Sequence, residues 1–436
     1  MSAATPSSSD LPDEAAELHV SPSDIAVGVI IGRSSEFFDF FVFAIASVIV
    51  FPARYFSFTD PLTATLWSFT VFALAFLARP LGTALFTVID RRRGKGMKLT
   101  LALLLLGTST VGMGLIPSYE DIGAASIWAL CLLRIGQGLA LGGTWDGLPS
   151  LLNMNAPKGK RGFYAMIPQL SAPIGLGVAS LLFAYLLMNM SQADFLDWGW
   201  RYPFFVAFAI NVVALFARLR IVVTPEYTEA FQSLQLKPSS FRAAFSQDGY
   251  TILVGAFVPL ASLALFHMVT VFPLSWVYLY TNENPAGFLI IEAIAAGWGF
   301  LAIIASGILA DRMGHQKLLF RGAIAIAVFA LIAPLLLSGN KLGEAVYMTV
   351  GAIVLGISFG QSSGAVASLF APQRRYTGSA VVTDLAWLFG AGFAPLAALG
   401  LSAWLGLPAA GLYLLSGSLC TVAALWFARR LEFSAH

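Results

Sequence analysis

The chain has 436 residues, of which 58% are hydrophobic and only 11% charged, against roughly 25% charge in an ordinary soluble domain. With a mean hydropathy of +0.79, the composition argues against a water-soluble enzyme and makes lipid the solvent for most of the sequence. Two cysteines, Cys131 and Cys420, both in apolar runs, offer no disulfide framework or thiolate metal site, and a net charge of +2 leaves no nucleic-acid footprint.

Residues 1–24 are rich in Ser, Pro, Asp and Glu and contain no Lys or Arg. They lack the apolar content that offsets chain entropy, so a disordered cytoplasmic tail is expected there. They also lack the basic start of a secretory signal, and the apolar stretch that begins near Ile25 is long enough to stay in a membrane. A membrane-crossing helix needs about 20 mostly apolar residues, because each backbone amide must be bonded internally. On that criterion the sequence predicts twelve spans: 25–52, 63–89, 98–117, 125–153, 162–190, 201–222, 248–281, 285–310, 318–338, 343–370, 378–402 and 406–428.

Orientation follows from basic residues, which are retained on the cytoplasmic side of short loops. With the N-terminus inside, nineteen of the 25 lysines and arginines, Lys98 and Arg218 among them, fall in inner loops or the tail. Both termini are therefore expected in the cytoplasm, with the chain multi-pass in a plasma membrane.

Asp90-Arg91, after the second span, recurs 221 residues later as Asp311-Arg312 after the eighth. Ala156-Pro157-Lys158-Gly159-Lys160-Arg161 is echoed 215 residues later by Ala371-Pro372-Gln373-Arg374-Arg375-Tyr376. Two independent matches at nearly one offset predict an all-α membrane protein of two pseudo-symmetric six-helix bundles. Residues 25–222 form the first and 248–430 the second, joined by a cytoplasmic linker over 223–247 and followed by a short tail over 431–436. Such paired bundles carry a solute by exposing a midplane site alternately to each side.

Several segments are recognisable. Gly307-Ile308-Leu309-Ala310-Asp311-Arg312-Met313-Gly314 fits the G-x-x-x-D-R-x-G loop of the major facilitator superfamily, and Arg134-Ile135-Gly136-Gln137-Gly138 resembles its R-x-x-Q-G stretch. Glu36-Phe37-Phe38-Asp39-Phe40, Ala78-Arg79-Pro80-Leu81-Gly82, Trp198-Gly199-Trp200-Arg201-Tyr202-Pro203 and Arg375-Tyr376-Thr377-Gly378 resemble, in order, stretches of the metabolite:H+ symporter family. The resemblance covers the whole membrane region. It departs at Phe86, where the family has glycine, and at Thr144-Trp145-Asp146, where one carboxylate is lost and another gained two positions on.

The resemblance implies a proton-coupled carrier that imports a small polar metabolite bearing a carboxylate, a monomer with no cofactor, metal or nucleic-acid partner. A zwitterion or betaine carrier, a proton-driven exporter and a sensor that binds without transport are the rival readings.

A charge at the bilayer centre costs about 2.5 to 3.5 kcal/mol on insertion scales, so each one is expected to face protein or a wet cavity. The resemblance makes Asp39, facing Arg134, the proton-coupling pair; a permanent ion pair that locks the bundle is the alternative. Glu36, grouped with them as a proton-coupling candidate, sits one turn from Arg33 and Asp39 and is expected to orient Arg33 or pair with Arg79. Arg33, with a guanidinium fork suited to a carboxylate, is a candidate substrate anchor, the alternative being that it simply satisfies Glu36. Asp146, Gln137, Gln169, Asp384 and His267 are the other candidate substrate contacts. His267 is readable as a second proton site or, the preferred reading because a histidine charge is costly there, as a neutral hydrogen-bonded core residue. Asp384, in a half with no intramembrane cation, is left three readings: a proton of its own, a cationic part of the solute, or Arg33 or Arg134 across the cavity. Asp90, Arg91, Asp311 and Arg312 resemble the family's inner gate charges.

Overall fold

The computed structural model describes residues 22–144, 152, 156–157, 159–222, 241–281, 283–337 and 340–434. Among these, every regular element is a helix. The first helix, α1 (Pro22–Ile49), is followed by eleven segments long and apolar enough to cross a membrane. These are α2 (Pro61–Arg93), α3 (Lys95–Leu115), α4 (Ala124–Gly143), α5 (Arg161–Asn189), α6 (Gly199–Arg220), α7 (Ala244–Tyr280), α8 (Pro285–Met313), α9 (His315–Leu337), α10 (Lys341–Ala367), α11 (Arg374–Leu405) and α12 (Pro408–Ala428). Helix α1 differs from them in carrying Arg33, Glu36 and Asp39 within its apolar part.

Local chemistry explains many of the ends. Pro61 and Pro285 open α2 and α8, where a missing amide hydrogen does no harm, and the preceding Asp60 and Asn284 side chains cap the free N–H groups of Thr63 (3.0 Å) and Ala286 (2.9 Å). Gly94 and Gly314 close the same two helices at φ of +83° and +87°, a left-handed conformation in which a side chain would be strained. The two loops that repeat in sequence thus make the same turn.

Packing repeats as well. In the first half α2 lies on α4, α3 on α4 and α6, and α1 on α5; in the second, α8 lies on α10, α9 on α10 and α12, and α7 on α11. Each contact recurs six helices later, giving two bundles of one topology. The bundles meet along α5 against α8 and α2 against α11, again a symmetric exchange. Close approach of α2 and α4 depends on glycine: a Cβ on Gly82, Gly138 or Gly142 would run into the backbone of the facing helix.

Four of the predicted spans are not continuous helices. Helix α7 breaks near Pro259 and again at Val269–Val271, and α10 breaks at Gly360–Gln361. Helix α5 contains a 3-10 turn over Ile167–Leu170, and α11 a π-helical turn over Leu388–Gly392. Apolar content alone does not register such breaks. Residues 1–21 and 435–436 of the predicted tails, most of the predicted linker, and Asp146 lie outside the described residues, while 22–24 begin the first helix and 431–434 continue the last.

Candidate functional site between the bundles

The charges of α1 are held in two separate sets. Asp39 is buried and accepts hydrogen bonds from Thr110 of α3 (2.7 and 2.8 Å), Gln137 of α4 (3.0 Å) and Asn211 of α6 (3.2 Å). Gln137 also accepts from the Arg134 guanidinium at 2.8 Å. Among the described residues Asp39 and Arg134 form no direct ion pair, contrary to expectation: the Gln137 amide stands between them. Arg134 is otherwise satisfied by the Phe72 carbonyl (3.2 and 3.3 Å) and lies over the Phe43 ring at 3.8 Å. A guanidinium on an aromatic face in desolvated surroundings is a favourable contact in its own right.

Glu36 takes Arg33 at 3.0 Å, as the three-residue spacing implies, and Arg218 at 2.7 Å. Arg79 is not its partner. Arg218 was expected in an inner loop; it is instead 1% exposed and packs its guanidinium against Gly32, where a Cβ would collide with it. Asn211 precedes Arg218 by seven residues, two helical turns, so both lie on one face of α6. That periodicity was the available signal for an inward arginine, while Arg220 faces outward.

Asp384 has a cation after all, and it comes from the other bundle. Arg79 of α2 reaches it at 2.8 Å, and the Thr83 hydroxyl donates to its second oxygen. Arg33 and Arg134, the cations expected to face it, are engaged elsewhere. Pro80 and Gly82 leave α2 close to α4, with Thr83 also donating to the Gly142 carbonyl at 3.2 Å.

His267 is fully buried in a box of aromatic rings: Phe40, Phe72, Phe76 and Phe266 lie between 5.3 and 5.9 Å of it, and Trp387 at 6.4 Å. Neither ring nitrogen finds a hydrogen-bond partner among the described residues, which corrects the expectation of a hydrogen-bonded core histidine.

Two small cavities, each of about 40 Å³, lie between the bundles and share Arg33 and Trp387 in their walls. Arg79, Arg134 and Glu36 complete the charged lining of one; Gln169, Ser362, Ser363 and Thr383 supply the polar lining of the other. Such volumes hold a few waters. The site is closed around its polar groups.

One end is also closed. Asp311 accepts the Gly162 amide of α5 at 2.6 Å, and Gln361 of α10 donates to the Gly162 carbonyl at 3.2 Å. On the symmetric side, Lys98 lies 3.5 Å from Asp90 and 3.2 Å from the Tyr376 hydroxyl of α11. Lys98, expected in a loop, is buried. Arg91 and Arg312 are exposed, so the carboxylates, not the arginines beside them, bear on the opposite bundle. At the other end a cavity of about 320 Å³ opens between Ile49 and Leu187 of the first bundle and Tyr278 and Pro285 of the second.

A family model described as Major Facilitator Superfamily matches residues 29–395. The chain belongs to the major facilitator superfamily. It is 35% identical over 413 residues to the inner membrane metabolite transport protein YhjE of Escherichia coli strain K12, covering 93% of each chain. It is 27% identical over 410 residues to the shikimate transporter of the same strain, covering 92% of each. Among solved structures, a D-xylose-proton symporter superposes with a TM-score of 0.72 at 18% identity, covering 93% of this chain and 97% of that one. This chain is therefore a multi-pass membrane transporter of the superfamily, with the twelve-helix, two-bundle fold read from its repeats.

Proposed function

We propose that this chain is a proton-coupled symporter that imports a small carboxylate-bearing metabolite by alternating access across the plasma membrane, with both termini in the cytoplasm. The observation that carries the substrate class is one cavity wall: Arg33, Arg79 and Arg134 face a shared space in which Glu36 is the acidic group of the lining. A guanidinium fork binds a carboxylate through two parallel hydrogen bonds, and in surroundings this dry the contact is strong. Arg79 is the movable one, since its partner Asp384 belongs to the opposite bundle. When the bundles part, a solute carboxylate takes the place of Asp384.

Asp39 supports the coupling. Gln137 connects it to Arg134, so a proton gained by Asp39 weakens its hold on that amide and frees Arg134. A local charge event then biases the two arrangements of the bundles. The Asp90 and Asp311 contacts hold the inner gate shut until that bias is applied.

Trp387, Phe37 and Phe76 in the same wall favour one second reading, a zwitterion with a quaternary ammonium, which binds well on aromatic faces. Uptake into proteoliposomes under an imposed pH gradient, with labelled shikimate, succinate, glycine betaine, proline and xylose, decides between the readings. Acid-driven accumulation of a carboxylate without an ammonium group supports the proposal. Accumulation of glycine betaine alone selects the second reading, and flux with no dependence on the gradient overturns the coupling.

A further inference from the structure

Glu292 of α8 is fully buried and plays no part in the site above. Its Oε2 accepts the Ser180 hydroxyl of α5 at 2.9 Å, a bond that crosses from one bundle to the other. Its Oε1 has no hydrogen-bond partner among the described residues, and no cation there lies within ion-pair distance. The carboxyl lines a separate cavity of about 40 Å³ enclosed by both bundles. Phe41 of α1, Leu176 of α5, Phe266 and Thr270 of α7 and Met348 of α10 face it there. Glu292 is the one titratable group in that lining. The nearest others on these helices turn elsewhere: Asp39 into its own bundle, His267 into the aromatic box, and Tyr347 to the Met268 carbonyl at 2.5 Å. Glu344 lies one turn beyond Met348, toward the Lys341 end of α10.

An ionised carboxylate in such apolar surroundings, with the Ser180 hydroxyl its one hydrogen-bond partner among the described residues, would be costly, whereas the neutral acid is readily accommodated. A route to water is close. The cavity of about 320 Å³ at the end away from Asp311 is walled by Leu187 and Pro285. Each lies seven residues from the Ser180–Glu292 contact on its own helix, a rise of about 10 Å. Parting α5 from α8 at that end would break the Ser180 bond and bring water to the carboxyl.

We propose that Glu292 is a second proton-binding site, holding its proton while α5 and α8 are closed over it and exchanging it with water when they separate at the end away from Asp311. This rests on the symport reading, to which it adds a proton carried outside the Asp39 network.

Infrared spectra of the purified protein in liposomes, recorded in H2O and D2O across a pH series, read protonated carboxyls directly and need no substrate. The wild type is expected to show a protonated-carboxyl band that is lost in Glu292→Gln and displaced in Glu292→Asp. A linked variant carries Leu187→Cys and Pro285→Cys in a Cys131→Ser/Cys420→Ser background, joined across the cavity by a bis-maleimide. There the band should persist to higher pH than in the same variant before linking. A band unchanged in Glu292→Gln, or a pH response unaltered by the link, overturns the assignment. Should Glu292→Gln fail to purify as one species, an identical band in wild type and Glu292→Asp overturns it instead. Failure of the symport reading is seen separately, as uptake indifferent to the pH gradient with the infrared band intact.

Discussion

Arg79 and Asp384 are 305 positions apart in the sequence and 2.8 Å apart in the fold, where they join α2 of one bundle to α11 of the other. Asp384 is buried and Arg79 largely so, and the two therefore depend on each other more than an exposed pair would. Removing one partner of a buried ion pair costs about 3 to 5 kcal/mol, while replacing both by apolar groups is often neutral. Asp384→Ala should therefore lower the melting temperature of the purified protein sharply, and Arg79→Met/Asp384→Leu should recover most of the loss. A double variant as unstable as the single one would show that the pair is not what joins the bundles there.

Among the described residues, Gln137 alone links Asp39 to Arg134, donating to the first and accepting from the second. Hydrogen bonds to charged groups contribute about 1.5 to 3 kcal/mol each. Gln137→Leu, which keeps much of the volume, should reduce uptake at least about tenfold, the rate equivalent of about 1.4 kcal/mol. Gln137→Glu should not substitute for it, because a second carboxylate beside Asp39 repels it. Initial uptake rates in cells at matched expression test both; a wild-type rate in Gln137→Leu would remove the amide from the coupling path.

Packing of α2 on α4 makes a prediction about glycine. A Cβ on Gly138 would press on the Ala75 backbone, whereas one on Gly297 of α8 meets nothing within 4 Å. Gly138→Ala should lose about 1 to 3 kcal/mol of stability through overpacking, while Gly297→Ala should be neutral or slightly stabilising. Thermal unfolding in detergent followed by tryptophan fluorescence compares them, and equal effects would mean that the helices are not held at this separation by their small residues.

Much of this architecture was legible in the sequence because its signals are local. Twelve apolar runs, two Asp-Arg loops at one offset and the Arg33–Glu36 spacing each need only a few neighbouring residues to be read. The partners of the buried charges were not legible. Glu36 meets Arg218 from 182 positions away, and whether Arg218 faces in or out depends on the rotation of α6, which apolar content does not fix. Asp384 looked unpaired for a related reason: its cation lies in the other bundle, and no pattern within 378–402 points to it. The breaks in α7 and α11 were hidden because a run of apolar residues reads the same whether or not its backbone is continuous.

At the Asp311 end a carboxylate lies against the N-terminus of α5, where the helix dipole favours negative charge. Asp311→Ala should loosen that end. Ser363, whose hydroxyl donates to the Ala165 carbonyl at 3.3 Å, is a reporter: Ser363→Cys, in a Cys131→Ser/Cys420→Ser background, should react with a membrane-impermeant maleimide several-fold faster when Asp311 is Ala. Equal labelling rates in inside-out vesicles would show that Asp311 does not gate.

The central claim, that charges kept within the membrane exchange partners to couple solute to protons, is tested most directly by watching the proton itself. Proteoliposomes with a pH-sensitive dye inside should acidify when a transported carboxylate is added outside, and Asp39→Asn should abolish that signal while still binding the carboxylate. Solute entry with no internal acidification in the wild type, or an undiminished signal in Asp39→Asn, would contradict the account.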